Sequence, residues 1–150
     1  VPVRSLKDVI AFNMAHPHEL MFFGQEFFDL AEATEGTSGE AYTKAVETAR
    51  RLSRTEGIDA LRAKYKVAAL IAPTTGPAWK IDPVNGDDYS GSASSLAAVA
   101  GYPHITVPMG QVNGLPVGLS FFAEAWSEAR LIGLAYSFEQ AAKARKAPTF

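Results

Sequence analysis

The chain has 150 residues, 47% of them hydrophobic and 20% charged, with a formal net charge of −2. That length suits one domain or part of a larger one, and so small a charge gives no electrostatic reason to expect nucleic acid or an anionic membrane as partner. The lack of cysteine excludes disulfides, thiolate metal sites and a cysteine nucleophile.

The first stretch, VPVRSLKDVI, begins without Met and has no long apolar signal-like run. It moves almost at once into helix, so the chain reads as cut from something longer, and a cytoplasmic location is expected. Ser5 with Asp8 three residues later predicts a helix start, since a serine hydroxyl can accept from the third helical amide and a carboxylate suits the positive helix end. That helix should run over 6–15 and break at His16-Pro17-His18, because the residue before proline is pushed out of the α region. A second helix is predicted over 25–34, and a loop over 35–39 ends near a capping serine. A third helix follows over 40–55, with Tyr42, Ala45, Val46, Ala49 and Leu52 on one face. Gly57 is read as its stop. A short helix over 58–65 then leads to a strand over 67–72, a run too short and too uniformly apolar for an amphipathic helix. Without a polar face, that strand should be covered on both sides.

Residues 73–90, PTTGPAWKIDPVNGDDYS, show no periodicity. Loops this long in compact domains are usually functional or disordered, and Trp79, Ile81, Val84 and Tyr89 argue against disorder. A serine-capped, alanine-rich helix is predicted over 93–100. It is followed by extended runs over 105–112 and 116–122 joined by Asn113-Gly114, a strong hairpin signal because both central residues of a type I′ turn need φ > 0. The uncharged stretch 105–123 is thereby a hairpin and no membrane span is expected. A last helix should cover 127–146, with Trp126 and Leu131 placed as a hydrophobic staple and Leu131, Leu134, Ala135, Phe138 and Ala142 as its apolar face. Lys143, Arg145 and Lys146 would sit in its last turn. The expected architecture is a layered α/β/α fold with a mixed sheet, mainly helical over 1–66 and strand, loop, helix, hairpin, helix over 67–150. Three strands make a small sheet for helices this apolar, so an uncovered edge predicts self-association of the isolated segment.

Several constellations compete with plainer readings. A Ser/His/Asp triad could be drawn from Ser92, Ser94 or Ser95 with His104 and Asp87 or Asp88. However, the Gly-x-Ser-x-Gly elbow that exposes a nucleophile is missing, and these serines fit helix capping better. His104 reads as a structural, hydrogen-bonded histidine. His16, His18 and Glu19 offer two imidazoles without a third ligand at helical spacing, so no metal site is expected. Asp82, Asn85, Asp87 and Asp88 miss the spacing of a calcium loop and read as a solvated loop. Trp79 is read evenly as a plug on the core or as a wall for substrate.

Four fragments in order carry a family resemblance: Ala72-Pro73-Thr74; Ala100-Gly101-Tyr102-Pro103; Ile105-Thr106-Val107-Pro108; and Gly114-Leu115-Pro116-Val117-Gly118-Leu119. With Phe138-Glu139 in the final helix, the chain resembles the C-terminal part of the amidase signature hydrolases. That resemblance implies hydrolysis of a carboxamide to carboxylic acid and ammonia through an acyl-serine, with no cofactor and a small-molecule amide as substrate. The family's Ser–Ser–Lys triad activates a serine that would otherwise be a poor nucleophile. It lies in a Gly/Ser-rich signature upstream of the segments matched here. Gly91-Ser92-Ala93-Ser94-Ser95 has too few glycines for that signature, so no catalytic residue is assigned to this chain and the isolated segment is expected to be inactive. The resemblance implies a wall of the substrate pocket at Thr74, Thr75, Trp79, Asp82, Asn85, Ser94 and Ser95. The amide stays open among small, peptide C-terminal, aryl and fatty amides and transamidation of charged tRNA, with a lean toward a neutral or aromatic acyl group. A non-catalytic binding or interaction module on the same scaffold is the alternative.

Overall fold

The computed structural model describes residues 3–147; Val1, Pro2 and the last three residues lie outside them. The described residues fall into two compact units divided after Glu47.

In the first unit, helix α1 (Leu6–Ala15) opens with the expected capping box, Ser5 accepting from the Asp8 amide while Asp8 accepts from the backbone of Ser5. A 3₁₀ turn at Pro17–Leu20 follows the break at His16. His16 stacks on Phe12 with ring centroids 4.0 Å apart, and its Nδ1 lies 2.8 Å from the Phe12 carbonyl. Helix α2 (Glu26–Glu32) is shorter at both ends than expected, and the loop before the next helix winds into a 3₁₀ turn at Gly36–Ser38.

Helix α3 (Glu40–Ser53) runs across the division between the units. Val46 and Ala49 on its apolar face are half-buried, whereas Tyr42 and Leu52 are exposed. Gly57 does not end the helical course. The backbone widens into a π turn at Arg54–Ile58 and continues as α4 (Asp59–Tyr65) before Lys66 closes it in the left-handed region. A Cβ on Gly57 would lie 2.5 Å from the carbonyl oxygen of Leu52, five residues back. The glycine is therefore what lets the wide turn close, which is a different use from the helix stop read in the sequence.

The second unit is built on a three-stranded antiparallel sheet in the order β1 (Leu70–Pro73), β3 (Leu115–Phe122), β2 (His104–Val112). The β2–β3 connection is the expected two-residue turn, with φ of 52° at Asn113 and 80° at Gly114. Side chains alternate across β3. Leu119 and Phe121 point to one face and join Ala123, Leu131 and Ala135 in a core under α6 (Glu128–Ala142). Phe122 points to the other face and packs with Ile58, Ala97 and Ala100 under α5 (Ser94–Ala100) and the π turn. This is the helix–sheet–helix layering expected of the fold class.

The second face is tied down by polar contacts. Arg54 Nε donates to the Ala100 carbonyl at 2.6 Å, and the Tyr102 hydroxyl donates to Asp59 Oδ2 at 2.8 Å. Burial, and after it the hydrogen bond to Asp59, raises the Tyr102 phenol above its ordinary value. Beyond the first sheet edge, Glu124 forms an ion pair with Arg62 and accepts from Arg130 Nη1 at 2.9 Å.

Three expectations are corrected. The strand expected over 67–72 starts only at Leu70, and one of its faces is open, with Ile71 61% exposed. The Trp126 staple is not made: Trp126 is 92% exposed because its φ of 63° turns the side chain away from the helix it precedes. Helix α6 ends at Ala142, where Lys143 takes up the left-handed cap, so Arg145 and Lys146 fall beyond the last turn.

Leu131 is 1% exposed at the centre of the α6 core. Leu131→Ala should lower stability by about 3 kcal/mol, read from the urea midpoint of unfolding at unchanged slope.

Candidate substrate-facing site

The segment leaving β1 is held from every side. The Thr74 amide donates to the Gly118 carbonyl at 2.8 Å, extending the ladder one residue past the strand, and the Thr74 carbonyl accepts from the Ala93 amide at 2.9 Å. Thr75 forms an isolated antiparallel bridge with Ser92, and its hydroxyl donates to the Gly91 carbonyl at 3.1 Å. The start and the end of the long loop are thus stitched together, and α5 begins at the stitch. Ser92 Oγ accepts from the Ser94 amide at 3.1 Å and lies 2.6 Å from Ser94 Oγ. The serine cap expected for α5 is not made, since Ala93 is the N-cap; Ser92 instead closes a local turn onto the Ser94 amide just before the helix. A shallow hollow of about 350 Å³ beside the stitch is lined by Ala72, Thr75, Gly76, Ser90 and Ser92, with Thr74 and Ser94 outside its lining.

Between the stitched ends, the loop folds on its own polar groups. Asp82 Oδ1 accepts from the Val84 and Asn85 amides, each at 2.9 Å, and Oδ2 accepts from Asn85 Nδ2 at 2.7 Å. The Asn85 side chain first, then the two amides, hold the Asp82 carboxyl below its ordinary range. Trp79 Nε1 donates to Asp87 Oδ1 at 3.2 Å, and its ring meets Tyr89 edge-on with centroids 6.2 Å apart. Trp79 is therefore packed within the loop, on Asp87 and Tyr89. Trp79, Asp82, Asn85 and Asp87 line a second hollow, about 400 Å³, together with Lys80 and Asp88.

Of the residues singled out in the sequence, Thr74, Thr75 and Ser94 meet at the stitch. Trp79, Asp82 and Asn85 meet around the second hollow. Ser95 is exposed one position into α5 and has no side-chain partner among the described residues. His104 opens β2 beside Phe122, ring centroids 6.0 Å apart, and its buried Nε2 has no hydrogen-bond partner among the described residues. The expected hydrogen bond is not made at Nε2, and none of Ser92, Ser94 and Ser95 bonds to His104 among the described residues, so no triad forms. Sequence reasoning missed Thr106 and Ser120, whose hydroxyls both contact Thr74 Oγ1, at 2.5 and 2.8 Å. It also missed Ser92 as the link between Thr75 and Ser94.

The Amidase family profile matches residues 22–132. A probable amidase of Arabidopsis thaliana is 40% identical over 99% of this chain, which covers 26% of that protein. Among solved structures, a peptide amidase in complex with the competitive inhibitor chymostatin is 54% identical over the whole chain with a TM-score of 0.95, and 31% of it is covered. The native peptide amidase of Stenotrophomonas maltophilia is 53% identical over the whole chain with a TM-score of 0.90, and 30% of it is covered. The fold is that of the amidase signature enzymes, and the chain belongs to the amidase family. It spans between a quarter and a third of the length of these relatives. Among the described residues no helix is long and apolar enough to cross a membrane.

Two groups of the second unit titrate away from their ordinary values. Burial lowers His104 below its ordinary 6.5, so the unfolded chain takes up this proton at a higher pH than the folded one. Stability linked to neutral His104 is full above about 6.5 and declines as pH falls below it toward the native value. Burial alone would raise Glu124, but the hydrogen bond from Arg130 and the charges of Arg62 and Arg130 outweigh it and leave the carboxyl below 4.5. Its contribution is present above 4.5 and is lost as pH falls through the lower native value. Urea midpoints measured from about pH 7 to about pH 3 should fall in both windows. His104→Phe should flatten only the upper one, and Glu124→Gln only the lower one.

Proposed function

We propose that this chain is the C-terminal segment of an enzyme that hydrolyses a carboxamide to a carboxylic acid and ammonia through an acyl-serine. In this reading the nucleophile and its Ser–Lys relay come from outside the chain. The segment supplies scaffold and one wall of the acyl pocket, with Thr74, Thr75 and Ser94 at the stitch and Trp79, Asp82 and Asn85 around the loop hollow. Ser95 is assigned to the same wall.

The observation that carries the reading is the match of the entire chain, at more than half identity, to a peptide amidase that binds a competitive inhibitor. It favours a peptide C-terminal amide as the substrate class. The site chemistry agrees. The stitched strand end offers hydroxyls and an extended backbone, which suit an extended peptide. The Trp79–Tyr89 pair offers an aromatic wall for a neutral side chain.

Ammonia release from a peptidyl amide by the full-length protein carrying this chain is the test. The complete protein should release ammonia and the free peptide acid, while the isolated segment releases none. Trp79→Ala should raise KM roughly tenfold with kcat changed far less, as expected when ground-state and transition-state contacts are lost together. A complete protein that binds peptidyl amides without releasing ammonia would replace this reading with the binding module.

A further inference from the structure

Thr74 sits at the meeting point of three strands' worth of hydroxyls. Ser120 lies on β3 and is fully buried, and its Oγ donates to Thr74 Oγ1 at 2.8 Å. Thr106 lies on β2, directly across from Ser120 in the ladder, and its Oγ1 is 2.5 Å from Thr74 Oγ1. A threonine hydroxyl has one proton to give. Thr74 accepts from Ser120 and shares a second bond with Thr106 in which either hydroxyl can donate, so Thr74 Oγ1 joins all three side chains.

Gly118 completes the arrangement. It faces Thr74 across the ladder, and a Cβ there would lie 2.5 Å from Thr106 Oγ1 and 2.8 Å from Thr74 Oγ1. Only a residue without a side chain leaves the two hydroxyls room to meet. The same Gly118 gives its carbonyl to the Thr74 amide. Thr74 is therefore fixed through its amide, its carbonyl and its side chain, and Thr75 follows directly into the bridge with Ser92.

We propose that Ser120, Thr106 and Gly118 are positioning residues. Acting through Thr74, they hold the Thr74–Thr75 backbone and the Ser92–Ser94 shelf in the attitude that receives the amide. This rests on the reading that the stitched loop faces substrate.

The test uses the full-length protein carrying this chain, with Thr106→Val, Thr106→Ser and Gly118→Ala. Valine keeps the shape of threonine and removes the hydroxyl; serine restores it. Thr106→Val should raise KM for a peptidyl amide about fivefold, with kcat within about twofold of the parent. Thr106→Ser should return KM to the parent value, and Gly118→Ala should raise it further than Thr106→Val. A KM rise in Thr106→Val at the parent melting temperature separates a loss of positioning from a loss of fold. An unchanged KM in Thr106→Val, or a rise that Thr106→Ser fails to reverse, would overturn the proposal. A parent protein that releases no ammonia would sink the amidase reading instead. Amide hydrogen exchange at Thr74 would then decide the positioning role separately: faster exchange in Thr106→Val but not in Thr106→Ser upholds it, and equal exchange in all three rejects it.

Discussion

Strand β3 is the constraint on which the second unit depends. It is the middle strand, so its backbone must satisfy β1 on one side and β2 on the other. Its alternating side chains feed both cores at once, Leu119 and Phe121 under α6 and Phe122 under α5. No other strand among the described residues has neighbours on both edges. Disturbing its register would move an apolar set from one layer to the other, because the side-chain period along a strand is two.

The register is not uniform, and that matters for the site. From the turn, Val112 faces Leu115 and Gly110 faces Val117; after the irregularity at Pro108/Gly110, Pro108 faces Gly118 and Thr106 faces Ser120. Met109 is the extra residue of a bulge. Without it, the turn's register would set Thr106 opposite Phe121. With it, a threonine and a serine become neighbours on the face that Thr74 joins from β1. Pro108, which lacks an amide proton, is tolerated there because β2 has no second strand neighbour among the described residues. The bulge therefore converts an apolar hairpin into one with a local hydroxyl cluster. That cluster, with the Gly118 carbonyl, clamps the point where the long loop departs. The loop can then be long without being loose, since both its ends are paired and its middle is held by the Asp82 turn and the Trp79–Asp87 bond.

Much of the fold was legible in local chemistry. Ser5 and Asp8 announced α1, Asn113-Gly114 announced the hairpin, and the spacing of Leu131, Ala135 and Phe138 announced the buried face of α6. In each case a short-range rule and the tertiary packing ask for the same thing. The failures have a common cause as well. Gly57 resembles a stop, but the backbone uses its missing side chain to admit the Leu52 carbonyl into a π turn. Trp126 has the spacing of a staple, yet a left-handed backbone at that residue sends it outward. Both outcomes depend on backbone torsions that residue type does not dictate.

The candidate site divides along the same line. Thr74, Thr75 and Ser94 could be singled out because a family-like motif marks the strand end and another marks the end of the helix that Ser94 begins. Thr106, although inside the Ile105-Thr106-Val107-Pro108 fragment, and Ser120 were not, because they lie in runs whose apolar character dominated the reading and whose facing depends on a one-residue bulge. By itself the sequence determined the kinds and order of the elements, the type of hairpin turn, the amidase kinship and the loop on which a site would be sought, since each follows from local spacing and residue chemistry. Only the tertiary structure decided which hydroxyls meet, because cross-strand neighbours are chosen by register, and register here turns on where the sheet accommodates Met109.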